Sequence, residues 1–133
     1  MRAQLNFGMT GTMKLNQASP EGRNLITGYD NQSVKINAVD YHGNLIITPD
    51  SIAPWSANGF ATLTAEDFSS LLRLAPEVVL FGSGHTLRFP HPRLTAALTD
   101  AGIGVEVMDT QAACRCYNIL MEENRRVVAV LLE

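Results

Sequence analysis

The chain has 133 residues, of which 46% are hydrophobic and 17% charged, and its formal net charge is −3 with a sequence pI near 5.5. This length fits one domain, and this composition supports a hydrophobic core and excludes a disordered chain. The negative charge gives no global attraction to nucleic acid or to anionic lipid, so we predict no nucleic-acid partner.

The N-terminal segment is polar and punctuated by glycine, serine and proline. We interpret residues 1–24 as an N-terminal arm and residues 25–133 as a single α/β domain. No apolar run follows Met1–Asn6, so we predict no signal peptide. The longest apolar run, Val127–Leu132, is far shorter than the roughly 20 residues that span a bilayer. We therefore expect a cytoplasmic protein without a transmembrane segment.

The first regular pattern lies in residues 34–39, where apolar and polar side chains alternate as in a half-buried strand. Residues 40–44 are rich in turn formers, and residues 45–48 are a second strand-like run. This order predicts an N-terminal β-hairpin whose turn lies at 40–44. The prolines at 49 and 54 are expected to end it.

The remaining chain alternates helical and strand patterns. Three helices are predicted: one from the cap Thr64 to Pro76, one from Pro92 to Gly102, and one that begins at Asp109 or Thr110. Three strands are predicted between and after them: Val78–Phe81, Val105–Met108 and Val127–Leu132. Such alternation predicts an α/β, three-layer domain with a mixed central sheet and helices on its faces.

Helical spacing also predicts which side chains face the core. In the second helix these are Leu94, Ala97, Leu98 and Ala101. In the third helix these are Ala113, Cys116, Tyr117, Leu120 and Met121.

Two loops leave the carboxyl ends of predicted strands, where ligands bind in open α/β sheets. The first contains Gly82, Ser83 and Gly84; the second contains Asp109, Thr110, Gln111 and Ala112 and opens the third helix. Glycines permit close backbone approach, and the first N–H groups of a helix attract anions. These seven residues are therefore the candidate site for a small anion or polar molecule. The simpler interpretation is a tight turn followed by an ordinary helix cap.

Several chemistries lack their motifs. Position 87 is Leu where a dinucleotide-binding loop needs Gly, and no Gly-Lys-Ser/Thr sequence follows the loop. Ser83 lacks the surroundings of a nucleophile elbow, and Asp109 is the single obvious general base. The histidines and cysteines show no metal-ligand spacing. We predict no catalytic residue, no metal and no cofactor.

Other side chains leave alternatives open. A thiolate at Cys114 would gain from the dipole of the third helix, whereas a cysteine buried on a helix face is inert; Cys116 poses the same choice. His85, Arg88 and Arg93 lie near the glycine loop, as anion partners or as solvated residues. Trp55 and Phe60 are candidate partner anchors or side chains that cover the core.

Several blocks of the sequence resemble a known family. They are Phe81–Gly84, Leu87–Pro90, Gly102–Thr110, Ala112–Asn118 and Glu123–Ala129. The chain resembles an uncharacterised bacterial and archaeal α/β domain family that includes the mitochondrial respiratory complex I assembly factor 3. The resemblance extends over about residues 30–132 and is most specific in Met108–Asn118.

The chain departs from the family pattern at three positions. Ser83 stands where the family usually has Thr, and it keeps the hydroxyl. Cys116 stands where Thr often precedes the Tyr-Asn pair, and it lacks the hydroxyl. Asn124 stands where Gly often precedes Arg, and Asn still tolerates a left-handed turn conformation.

The resemblance implies a three-layer α/β fold with a mixed sheet and no settled enzymatic activity. It favours a non-enzymatic interaction or assembly factor with a protein partner, for which subunits of a respiratory complex are the candidates. The alternative is a protein or enzyme that binds a small anion or small molecule through the loops at 82–84 and 109–112.

Overall fold

The computed structural model describes residues 22–30 and 32–133. Within them lie eight strands and three α-helices. The strands are β1 (Ile26–Tyr29), β2 (Ser33–Ile36), β3 (Val39–His42), β4 (Leu45–Ile47), β5 (Ile52–Pro54), β6 (Val78–Gly82), β7 (Gly104–Met108) and β8 (Val127–Leu131). The helices are α1 (Ala65–Ser69), α2 (Pro92–Asp100) and α3 (Thr110–Glu122). Of the predicted arm, only residues 22–24 are described, so its extent stays a prediction.

The central sheet has five strands in the order β5-β4-β8-β6-β7. Strand β6 pairs in parallel with both β7 and β8, whereas β4 pairs antiparallel with β8 and β5. The strands β1, β2 and β3 form a separate antiparallel sheet. The predicted α/β class with a mixed central sheet is confirmed.

Strands β6 and β8 are buried along their whole length because both faces of the sheet are covered. On β6, Val78 and Leu80 pack in the core on the α3 side, and Val79 and Phe81 pack in the core with α1 and α2. Alternate residues of β8 divide between the same two cores. The strand period of two therefore explains the continuous apolar runs of the sequence.

Helix α1 begins where the sequence predicted. The Thr64 hydroxyl accepts from the Asp67 N–H (3.2 Å), and the Asp67 carboxylate accepts from the Thr64 N–H (2.9 Å). This reciprocal capping box fixes the first turn. The following 3₁₀ turns end at Ala75, which has a left-handed backbone (φ 49°) just before Pro76.

The predicted hairpin was placed wrongly. The turn lies at Asn37 and Ala38, both with positive φ (51° and 69°), and it joins β2 to β3. Strand β3 therefore occupies most of the stretch predicted as a turn, and β4 pairs with β8 and β5. The Asn37 side chain stabilises this turn by accepting from the Leu25 N–H (3.0 Å). Strands β1 and β5 were not predicted.

The predicted buried faces need two corrections. In α2, Leu98 is buried but Ala97 and Ala101 are exposed, because this helix packs against α1 and the edge strand β7, which leaves much of its surface open. In α3, Cys114 is buried and Cys116 is half-buried.

Helix α3 also fastens the three-stranded sheet. The Asn118 amide accepts from the Ile26 N–H (2.9 Å) and donates to the Ile26 carbonyl (2.8 Å), so it pairs with β1 as a neighbouring strand would. The Tyr117 hydroxyl donates to the Asn24 carbonyl (2.8 Å). Burial raises the pKa of Tyr117, so the hydroxyl keeps the proton that it donates. No helix in the described part of the chain is long and apolar enough to cross a bilayer.

We expect Asn118→Ala to lower the free energy of unfolding by about 1–3 kcal/mol, because both polar groups of Ile26 lose their partner. Urea denaturation of purified protein measures this loss. Ile119→Ala is the matched control, since it shortens the adjacent exposed side chain of the same helix, and we expect a change below about 0.5 kcal/mol. Equal stabilities of the two variants would contradict the role of Asn118.

Candidate functional site

The first predicted loop begins at Gly82, where the backbone is too crowded for a side chain. A Cβ at this position would lie 2.8 Å from Leu131 Cδ2 and 3.0 Å from Thr110 Cα. Gly84 has φ 103°, a conformation that favours glycine. Glycine is thus required at both positions, for lack of space at the first and for backbone conformation at the second.

Thr110 connects the two predicted loops. Its hydroxyl accepts from the Gly84 N–H (2.9 Å) and donates to the Leu132 carbonyl (2.8 Å). Its own N–H donates to the Gly84 carbonyl (2.9 Å). One threonine therefore joins the ends of β6 and β8 to the first turn of α3.

Ser83 is fully buried and its hydroxyl holds the turn after β6. It donates to the Thr86 carbonyl (2.7 Å) and accepts from the Arg88 N–H (3.0 Å). The Ser83 N–H donates to the Met108 carbonyl (2.8 Å). Among the described residues no histidine hydrogen-bonds this hydroxyl, so it lacks the base that activates a nucleophilic serine.

Asp109 is the cap of α3, and its carboxylate accepts from the Ala112 N–H (2.9 Å). The N–H groups of Ser83, Gly84, Thr110 and Ala112 therefore all donate to groups of the protein itself. These N–H groups are among the donors that the sequence analysis predicted for an anion. In the structure they form the hydrogen bonds that hold the two loops together.

An open cleft of about 460 Å³, counting its solvent-filled mouth, lies beside this junction. Of the seven predicted site residues, Gly84, Thr110 and Gln111 line the cleft. The other four, Gly82, Ser83, Asp109 and Ala112, do not line it.

The opposite wall of the cleft comes from the turn between β1 and β2, which the sequence reading missed. The Asp30 carboxylate accepts from the N–H groups of Gln32 (2.8 Å) and Ser33 (2.9 Å). These backbone hydrogen bonds lower the pKa of Asp30 and keep the carboxylate ionised. An aspartate followed by polar residues is the signal of such a turn and was available in the sequence.

Burial decides between the alternatives for Cys114 and Trp55. Cys114 is 1% exposed, and burial raises the pKa of its thiol to about 12, so it is unsuited to thiolate chemistry. Trp55 is buried, and its indole N–H donates to the Asp67 carbonyl (3.1 Å), so it covers the core. No group of three or more His, Cys, Asp or Glu residues in the described ranges is placed to hold a metal ion.

Arg88 anchors the chain that follows the glycine loop. Its Nη2 donates to the Ser83 carbonyl (2.7 Å), and its guanidinium lies 4.6 Å from the centre of the Phe60 ring. The ring of Phe60 in turn stacks on that of Phe81. Arg88 is therefore bound to the core through a carbonyl and an aromatic face.

Comparison with known proteins gives one family. Residues 26–132 match the family model described as "Protein of unknown function (DUF498/DUF598)". Over 109 residues the chain is 31% identical to the NADH dehydrogenase (ubiquinone) 1 alpha subcomplex assembly factor 3 of Mus musculus. That alignment covers 80% of this chain and 59% of the mouse protein, so the chain spans little more than half of that relative.

Solved structures with the same fold come from bacteria. A protein from Bordetella parapertussis is 39% identical with a TM-score of 0.78, over 83% of this chain and 95% of that one. A protein from Xanthomonas campestris is 32% identical with a TM-score of 0.75, over 90% of this chain and 92% of that one.

We expect Thr110→Val to lower the free energy of unfolding by about 2 kcal/mol, because Gly84 N–H and the Leu132 carbonyl lose their shared partner without a change of side-chain shape. Thr110→Ser keeps the hydroxyl and is the matched control, with stability close to that of the parent protein. Urea denaturation measures both variants. A Val variant as stable as the Ser variant would contradict the junction's role.

Proposed function

Since the chain belongs to the protein family of unknown function DUF498/DUF598, we propose that it is a protein-binding assembly factor for a respiratory NADH dehydrogenase. The observation that carries the proposal is the similarity to the mammalian assembly factor 3, which extends over most of this chain. In this proposal the protein acts from the cytoplasm and binds subunits of the complex before or during their assembly.

The chemistry of the loops supports a binding role over a catalytic one. The polar groups of Ser83, Asp109 and Thr110 are engaged in turns, a helix cap and the junction between strand ends. Tyr117 and Asn118, in the block most specific for the family resemblance, fasten β1 and the chain before it to α3. These side chains maintain a rigid scaffold, and a rigid scaffold suits the display of a surface to a partner.

Affinity capture of the tagged protein from its own cells, with and without membrane extraction, tests the proposal. We expect enrichment of NADH dehydrogenase subunits over a capture with the tag alone. Deletion of the gene is expected to lower the NADH:quinone oxidoreductase activity of membranes and to leave succinate dehydrogenase activity unchanged. Reproducible capture without these subunits, together with unchanged NADH oxidation, would rule the proposal out.

A second candidate function is the binding of a small anion or polar molecule in the cleft. The observation that favours it is the position of Gly84, Thr110 and Gln111 on the cleft wall. The seven residues 82–84 and 109–112 would then act together, with three in contact with the ligand and four positioning them.

Titration of ¹⁵N-labelled protein with inorganic phosphate tests this second candidate. If the cleft binds anions, the amide signals of Gly84, Thr110 and Gln111 are expected to shift and to saturate at about millimolar phosphate. The amide of Gly102, a positive-φ glycine that does not line the cleft, is the internal control. Equal and unsaturated shifts at all four amides would exclude an anion site.

A further inference from the structure

The segment between the glycine loop and α2 exposes two large apolar side chains. Leu87 is 52% exposed and Phe89 is 69% exposed, the highest value among the large hydrophobic side chains of the described residues. Burial of such side chains against a partner is favourable because it removes apolar surface from water. A single exposed apolar residue is common on protein surfaces, but here two large ones, Leu87 and Phe89, lie on either side of the anchored Arg88.

The exposure follows from how the segment is held. Arg88, between the two apolar residues, is tied to Ser83 through its backbone N–H and its guanidinium, and it lies over the Phe60 ring. The side chains on either side of this anchor, Leu87 and Phe89, are the ones left exposed. The Ser83 hydroxyl also holds the Thr86 carbonyl.

Proline restricts the same segment further. Pro90 follows Phe89 directly, and Pro92 occupies the first position of α2. Each ring fixes its φ angle near −65°. A segment that is already ordered loses little conformational entropy when it binds, which favours affinity.

The charge of this segment is opposite to that of the whole chain. No Asp or Glu occurs between Glu77 and Asp100, whereas the chain carries a net charge of −3. The segment contains two exposed arginines, Arg88 beside Phe89 and Arg93 in the first turn of α2, and no carboxylate in the described part of the chain forms an ion pair with either. These guanidinium groups would attract a partner that carries carboxylates.

We propose that Leu87, Arg88, Phe89 and Arg93, which we call the 87–93 surface, bind a partner-protein segment in which apolar residues lie next to Asp or Glu. The proposal rests on the proposed function, since it names the surface through which an assembly factor would hold its subunit. A protein segment suits the surface better than a membrane does. Two apolar side chains and two arginines on a chain of net negative charge are too few for stable attachment to anionic lipid.

Photo-cross-linking in the protein's own cells tests the 87–93 surface. Benzoylphenylalanine is placed at Phe89 in one full-length variant and at Ile119 in the other. Ile119 is a matched control because it is a 56% exposed apolar residue on a different element, α3. Mass spectrometry identifies the partner protein and the peptide that carries each cross-link. We expect Phe89 adducts with an acidic and apolar segment of an NADH dehydrogenase subunit, and none from Ile119.

The outcomes separate this inference from the proposed function. Adducts from position 89 with an acidic, apolar segment of an unrelated protein would support the surface and contradict the respiratory role. Adducts with NADH dehydrogenase subunits from position 119 alone would support the respiratory role and overturn the surface. Adducts from position 89 with this chain itself or with lipid, or an absence of adducts, would also overturn the surface.

Affinity for the cross-linked partner gives the quantitative test. We expect the double substitution Leu87→Ser and Phe89→Ser to weaken binding of the purified partner at least about tenfold, because two apolar contacts are lost. Arg93→Glu is expected to weaken it and to reduce its dependence on salt. Ile119→Ser is the control, with unchanged affinity. Thermal unfolding confirms that each variant is folded, and equal affinities for all variants would overturn the proposal.

Discussion

The end of the central sheet where β6, β7 and β8 finish depends on the two hydrogen bonds of the Thr110 hydroxyl. Three strands end together here, and their last polar groups need partners because water cannot reach all of them. The hydroxyl serves Gly84 at the end of β6 and Leu132 at the end of β8 at the same time. Its close approach is possible because Gly82 has no side chain. The glycines and the threonine are thus one structural unit made from two loops.

Helix α3 continues this role along its length. Its first residue, Thr110, joins the ends of β6 and β8. One turn before the end of the helix, Asn118 pairs with the backbone of Ile26 in the second, smaller sheet. Tyr117 adds a hydrogen bond to the carbonyl of Asn24. The block Met108–Asn118 therefore has an architectural role in this chain, because it joins two sheets that share no strand.

Neighbouring residues in the segment after β6 have different roles in this scaffold. Ser83 and Arg88 hold the segment after β6 from within, and Leu87 and Phe89 are left exposed by the same arrangement. Exposed apolar groups on a rigid support are typical of protein-binding surfaces. The Ser83 hydroxyl is engaged within the turn, and burial raises the pKa of the Cys114 thiol, so neither group is arranged as a nucleophile.

The sequence alone determined the features that depend on local chemistry. The buried strands β6 and β8, the Thr64 cap of α1 and the ends of α2 follow from apolar runs, caps, proline and glycine. The loops of the candidate site were also located, because they follow the predicted strands β6 and β7. The tertiary structure decided what depends on partners far along the chain. Strand β4 joined β8 rather than β2, and the hairpin turned at Asn37 and Ala38 instead of 40–44.

The same division applies to the site residues. The sequence predicted Gly84 and Thr110 as members of one site, and the structure brings them together. Their hydrogen bonds could not be predicted, since the Leu132 carbonyl that Thr110 binds lies 22 residues away and reaches it only when β8 pairs with β6. Exposure of Phe89 likewise depends on the anchoring of Arg88 to Ser83 and Phe60. Local sequence determined where the elements and loops lie, and long-range pairing decided which of their groups are used within the fold and which are left exposed.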